Sequence, residues 1–322
     1  MQRHTLRESL EVLPFLQKPE IAPETRTETR TVFDVGMNNG DDSAHYLSKG
    51  CRVIAVEANP ILAQRGRVRF QAEIASGQMV IEALGISHRP GKVPFWINEE
   101  RDVFSSFDLA RATRGGMPCH SVVVECITFD TLLKKHGVPH YLKLDVEGAE
   151  PHCLAFLQSM GLPQYISVEA ESLDYLLLLW QLGYRQFKIV DQMRHNSRFP
   201  DFTNDNPFSR FAKRTCAYAD RFKNRVVKVP FPRGSSGPFG EETSGSWQSM
   251  EETAYNWLHL HFGHASRGSL NPDSWYDFHA KAPRASAGMH RVAGLSARNV
   301  TPIWELRPRA PGFVIQSNHA EA

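Results

Sequence analysis

Blocks of β-branched and aromatic residues alternate with helix-period stretches along residues 31–190. The first block, Thr31, Val32, Phe33 and Val35, is interrupted only by Asp34 and has the apolar density of a strand buried on both faces. Gly36 and Gly40 then allow a tight turn. Asp41, Asp42 and Ser43 offer capping oxygens and negative charge to a helix running to about Ser48. The same alternation predicts strands over 52–58, 79–87, 121–128, 141–146, 165–171 and 184–190. Helices are expected over 61–76, 129–136 (capped by Gly137), from Pro151 onward, and over 173–182 (closed by Gly183). Residues 92–97 either pair back as a hairpin or begin a further strand, and 103–118 read as surface loop. Strand and helix alternating in this way predict an α/β fold with a mostly parallel central sheet flanked by helices.

Outside that core the pattern changes. Residues 1–30 are expected to form an N-terminal leader, set off by Pro19 and Pro23. From Asp191 to about Gly245 the chain is rich in Asn, Pro, Gly and Ser, the composition of a loop or lid. Helical spacing returns over 250–262 and a strand pattern over 275–280, so 191–280 is expected to be a lid or insertion with a strand returning to the sheet on the acceptor side. Residues 281–322 are basic and rich in Ala and Pro, as expected of a flexible tail.

Composition narrows the function classes. The 322 residues carry a net charge of only +2, which gives no general attraction to nucleic acid. The five cysteines form no C-x-x-C pair and read as free thiols of a reducing compartment. The densest apolar run, 175–180, is too short to span a bilayer. A cytoplasmic location, no membrane span and no nucleic-acid partner are therefore expected.

Carboxylates cluster where the strands should end: Asp34, Glu57, Asp145 with Glu147, and Glu169 with Glu171. Open α/β sheets bind ligands at those ends. Glu57 stands at about the separation from the first strand at which an acid meets a nucleotide ribose. The turn is Gly36-x-x-x-Gly40, not the G-x-G-x-x-G of dinucleotide sites, and Asp41 and Asp42 stand where a pyrophosphate would sit. A cofactor with a cationic end and no phosphate suits this better, and S-adenosylmethionine has that chemistry. The rival readings are an NAD(P)-linked oxidoreductase and a non-catalytic adenosyl-ligand-binding module.

In order along the chain, FDVGMNNGDDS at 33–43, VIAVEANP at 53–60, ALGIS at 83–87, Ser105-Ser106, ITFDTLL at 127–133 and YLKLDVEGAE at 141–150 resemble the FkbM-type S-adenosylmethionine-dependent methyltransferases. The resemblance implies a Rossmann-like class I methyltransferase fold, with Gly36, Asn38, Gly40 and Glu57 lining the cofactor, and O-methylation as the default reaction. Asp34, Gly85 and Asp145 complete the expected cofactor set. The acceptor is expected to be a hydroxyl on a small molecule or glycan.

Methyl transfer from a sulfonium is an in-line displacement that depends on alignment and exclusion of water. Strand alternation predicts Lys143, Asp145 and Glu147 on one side of the reaction floor, and these are the catalytic candidates. Asp145, Glu169 and Glu171 are the candidates for a hard-oxygen site, with Mg2+ a secondary expectation. His259, His261, His264 and His279, and the aromatics Trp247, Tyr255, Trp257 and Trp275, are expected mainly to pack.

Overall fold

The computed structural model describes residues 29–193, 195, 197, 235–262 and 275–283. The expected tail from 284, and all of the expected leader except residues 29 and 30, lie outside these.

Strand β1 (Thr31–Val35) is central, with parallel β2 (Arg52–Val56) on one side and parallel β7 (Tyr141–Leu144) on the other. Beyond β2 lies β3 (Met79–Glu82), and beyond β7 lies β8 (Tyr165–Glu169), both parallel to their neighbours. Strand β10 (Tyr276–Lys281) enters antiparallel between β8 and β9 (Gln186–Asp191). The sheet order is thus β3-β2-β1-β7-β8-β10-β9, and the order reverses between β1 and β7, where a doubly wound sheet opens its ligand crevice. This is an α/β fold with a mostly parallel, Rossmann-like central sheet, with the returning strand that the 275–280 pattern predicts.

Period-two alternation assigns the two faces. Phe33, Val35, Ile54, Val56, Leu142, Leu144, Ile166 and Val168 pack against α5 (Phe129–His136), α6 (Glu150–Met160) and α7 (Leu173–Leu182). Val32, Val53, Ala55 and Tyr141 pack on the opposite face, under Tyr46 and Leu47 of α1 (Asp41–Ser48) and under Phe239. Asp34 and Lys143 also belong to this second face, as register partners.

Three expectations are corrected. The single strand at 79–87 is two: β3 stays in the central sheet, while β4 (Gly85–Ile86) joins a second sheet of order β4-β6-β5 with β5 (Gly91–Asn98) and β6 (Cys119–Ile127). Residues 92–97 and 120–125 are therefore an antiparallel pair outside the main sheet. The expected helix at 61–76 breaks at Phe70 into α2 (Pro60–Arg69) and α3 (Gln71–Ala75), because Phe70 turns into the core. Residues 103–118 are not simply surface loop: the chain makes a 3-10 turn at Asp102–Phe104 and α4 (Leu109–Thr113), and buries Phe104 and Ala112.

Candidate functional site

A cleft opens at the carboxyl ends of β1, β2 and β7, walled on its far side by the second sheet. Of the expected site residues, Gly36, Asn38, Glu57, Gly85, Asp145 and Glu147 line it. Asp34, Gly40 and Lys143 do not.

The turn after β1 builds the floor. Gly36 has φ 91°, and a Cβ there would stand 1.7 Å from the Asp145 carbonyl oxygen, so the two strand ends approach only because this residue is glycine. The Gly36 and Met37 amides both donate to the Val56 carbonyl at 3.0 Å. Asn38, itself at φ 51°, donates its amide to Glu57 Oε2 at 2.7 Å, and Asn59 donates its amide to Oε1 at 2.8 Å. Burial pushes the Glu57 carboxyl up to about 7, even though both amides favour the ionised form.

Leu84, Ile86, Phe95 and Phe107 supply an apolar wall. Gly85 is fitted to it: a Cβ there would stand 2.3 Å from Phe107 Cζ. Asp102, Val103 and Ser105 complete the rim. Sequence missed Asp102, Val103 and Phe107, since the short turn and helix around them have no periodicity to mark them. The Ser105-Ser106 pair was the one local signal, and Ser106 Oγ donates to the Glu147 carbonyl at 2.8 Å.

The strand alternation expected over Lys143, Asp145 and Glu147 ends at Leu144. Lys143 does not line the cleft and is only 3% exposed, with its Nζ 3.1 Å from Asp34, 3.5 Å from Asp42 and 3.5 Å from Asp145. Burial alone would lower its pKa, but Asp34, Asp145 and Asp42 together hold it well above its ordinary value. Lys143, expected on the reaction floor, is a buried cation that does not line the cleft. Gly40 takes a left-handed φ of 82° before α1, and a Cβ there would meet Phe70 at 2.6 Å, so both the turn and its packing call for glycine.

Asp41 and Asp42 stand in the first turn of α1, as expected, but are engaged in other contacts. Asp41 pairs with Arg69 at 2.8 Å, and Asp42 is buried, accepting from the Ser236 and Gly237 amides at 3.1 and 3.0 Å. Neither lines the cleft. The feature that disfavours a pyrophosphate is the lining itself, which holds four carboxylates (Glu57, Asp102, Asp145, Glu147) and no Lys, Arg or His among the described residues.

A second group of acids adjoins the cleft. The carboxyl oxygens of Glu147, Glu169 and Glu171 lie within 4.8 Å of one another, with Glu147 in the place expected of Asp145. Glu147 adopts φ 48° and pairs with Arg114 at 2.7 Å, while Glu171 accepts two bonds from Arg111 at 2.9 and 2.8 Å. Burial pushes Glu147 up to about 7 against the opposing pull of Arg114. Burial, and then Asp145, Glu147, Glu171 and Asp277, push Glu169 to about 10, so it stays protonated at neutral pH. Asp277, its register partner on β10, is raised to about 7 by burial and by Asp145. The positions of Arg111, Arg114 and Asp277 in this group carry no sequence signal, since they depend on how distant segments meet.

Several of the remaining candidates pack. His279 is buried in β10, Trp257 donates Nε1 to the Ala170 carbonyl at 2.7 Å, and Trp247 stacks on Tyr165. Tyr255 stacks on His259, His261 on Trp257, and Trp275 is 39% exposed; His264 lies outside the described residues. Cys51, Cys119, Cys126 and Cys153 are free thiols. No helix among the described residues is long and apolar enough to cross a membrane.

Residues 34–185 match a family model described as the methyltransferase FkbM domain. No curated protein matches the chain. Among solved structures, the C-terminal domain of precorrin-6Y C5,15-methyltransferase from Rhodobacter capsulatus is 14% identical with a TM-score of 0.28. That match covers 51% of this chain and 66% of the other, so the chain spans just under two thirds of its length. A structure described as StiE O-MT is 11% identical, with coverage of 80% and 69% and a TM-score of 0.34. The [4+2]-cyclase SpnF is 10% identical, with coverage of 79% and 76% and a TM-score of 0.33.

Proposed function

We propose that this chain, whose residues 34–185 match the FkbM methyltransferase family model, binds S-adenosylmethionine in the cleft and methylates a hydroxyl on a small-molecule or glycan acceptor. The observation that carries the cofactor assignment is the lining, with four carboxylates, an apolar wall and no cationic side chain among the described residues. Such a lining opposes a pyrophosphate and suits a ligand that combines an aromatic base, a ribose and a positive charge.

Glu57 is assigned to the ribose hydroxyls. It is held by the Asn38 and Asn59 amides at the end of β2 and keeps lone pairs for two further donors. Leu84, Ile86, Phe95 and Phe107 are assigned to the flat apolar face of the base. Asp145 is assigned to the cationic end. When bound, the cofactor supplies an electrophilic methyl group, and the protein's part is alignment and exclusion of water. An acceptor hydroxyl must lose its proton, and Glu147, raised to about 7, is the carboxylate at the cleft suited to take it. The Glu147, Glu169 and Glu171 group has the oxygen donors that magnesium takes, but Arg114 and Arg111 already match two of its charges. A metal-independent reaction is therefore the preferred form of the proposal.

Calorimetry with S-adenosylmethionine, S-adenosylhomocysteine and NAD tests the reading. The adenosyl ligands are expected to bind and NAD is not; binding of NAD alone would overturn the proposal. Methyl transfer screened over hydroxylated metabolites and glycans, with and without chelator, then identifies the acceptor and tests the metal.

A further inference from the structure

A buried lysine beneath the cleft connects parts of the chain that are far apart in sequence. Lys143 Nζ donates to Asp34 at 3.1 Å and to the Gly36 carbonyl at 3.0 Å, and lies 3.5 Å from both Asp145 and Asp42. Gly36 and Asp145 line the cleft, whereas Asp34 and Asp42 do not. One ammonium thus faces both strand ends that form the cleft floor.

Asp42 brings in a second segment. Its carboxylate accepts the Ser236 and Gly237 amides at 3.1 and 3.0 Å. The same strap is held by Tyr46, whose hydroxyl donates to the Gly237 carbonyl at 3.2 Å, and by Phe239, which stacks on Tyr141 at 4.1 Å. Ser236 is 1% exposed and Asp42 6%. Three carboxylates surround one ammonium, so the charge that each one meets depends on the other two. Removing the strap's amides from Asp42 would draw Lys143 toward Asp42 and away from Asp145.

We propose that Lys143 is a positioning residue that fixes the Asp145 carboxylate and the Gly36 turn for the cofactor, and that the strap at Ser236–Gly237 sets its hold through Asp42. The role is distinct from catalysis, since Lys143 does not reach the cleft. The inference rests on the proposed cofactor site, and wild-type binding of S-adenosylhomocysteine tests that premise separately.

The experiment compares S-adenosylhomocysteine affinity with thermal stability in the full chain for Lys143→Met, Lys143→Arg, Asp42→Asn and Lys188→Met. Lys188 is the matched control: a buried lysine off the cleft, donating to Thr243. Lys143→Met is expected to weaken binding by about tenfold or more, because it leaves Asp145 without its buried partner. Lys143→Arg is expected to recover part of the loss, because it keeps the charge. Asp42→Asn, though outside the cleft, is expected to weaken binding by about threefold to tenfold. Lys188→Met is expected to lower stability and leave affinity unchanged. If wild type binds and the folded Lys143→Met and Asp42→Asn proteins bind equally well, the proposal fails and the cluster is purely structural. Should Lys143→Met not fold, Asp42→Asn alone decides by the same criterion. Failure of wild type to bind would instead overturn the cofactor site.

Discussion

At Glu57 the needs of the ligand-free fold and of the ligand oppose each other. The carboxyl is 7% exposed and is pushed up to about 7 by burial, from an ordinary 4.5. The folded protein therefore holds the proton more tightly than the unfolded chain. The stability this contributes is fully present below pH 4.5 and is lost as pH rises through about 7. Ribose hydroxyls donate best to the ionised carboxylate, so cofactor affinity should move the other way. Affinity for S-adenosylhomocysteine is expected to fall as pH drops below about 7, approaching tenfold per unit, and Glu57→Gln should flatten that dependence. At about pH 8 the same substitution is expected to cost roughly 1.5–3 kcal/mol of binding. Calorimetry of both proteins between about pH 6 and pH 8.5 measures slope and offset together. An unchanged slope would assign the titration to another group, and an unchanged affinity would make Glu57 only a clasp for the Asn38 and Asn59 amides.

Among the elements, the turn from β1 to α1 shows how much one missing side chain can decide. Gly36 and Gly50 both have positive φ, 91° and 76°, but only Gly36 has a neighbour where a Cβ would stand. Alanine at Gly50 should cost only the left-handed backbone penalty, about 1–2 kcal/mol. At Gly36 the same change adds a collision with the Asp145 carbonyl, and the expected loss is about 2–5 kcal/mol. Denaturant unfolding of the two variants measures the difference, and equal losses would mean that the β1 and β7 ends separate easily. The second sheet makes a related point: Gly85 leaves the line of β3, so an apolar run that reads as one strand serves two sheets.

At the scale of the whole molecule, the β7–α6 connection, β8 and β10 bring Glu147, Glu169 and Asp277 together. The Glu169 carboxyl, raised to about 10 from 4.5, contributes stability that is fully present below pH 4.5 and fades as pH climbs through about 10. Relative to Glu169→Gln, wild type should therefore lose stability from about pH 6 to pH 8, at no more than about 1.4 kcal/mol per unit. Chemical unfolding of both proteins at the two pH values tests this, and a constant difference would mean that Glu169 is already ionised.

The amino-acid pattern by itself determined the strand and helix alternation of residues 31–190, the returning strand near 275–280 and the acids at the strand ends. Each follows from local chemistry: apolar period, capping residues, and glycines where the backbone must turn. The ordered motifs from Phe33 to Glu150 also carried the family resemblance. Only the tertiary structure decided which acids face the cleft. Asp34, Asp41, Asp42 and Lys143 look like cleft residues in sequence, yet their partners are Ser43, Arg69, the Ser236 and Gly237 amides, and one another. Asp102 and Phe107 reach the cleft wall from a segment marked in the sequence only by the Ser105-Ser106 pair. The physical reason is range. Secondary structure and turns depend on neighbours a few residues away, whereas the partner of a charge depends on segments that meet only when the sheet is complete.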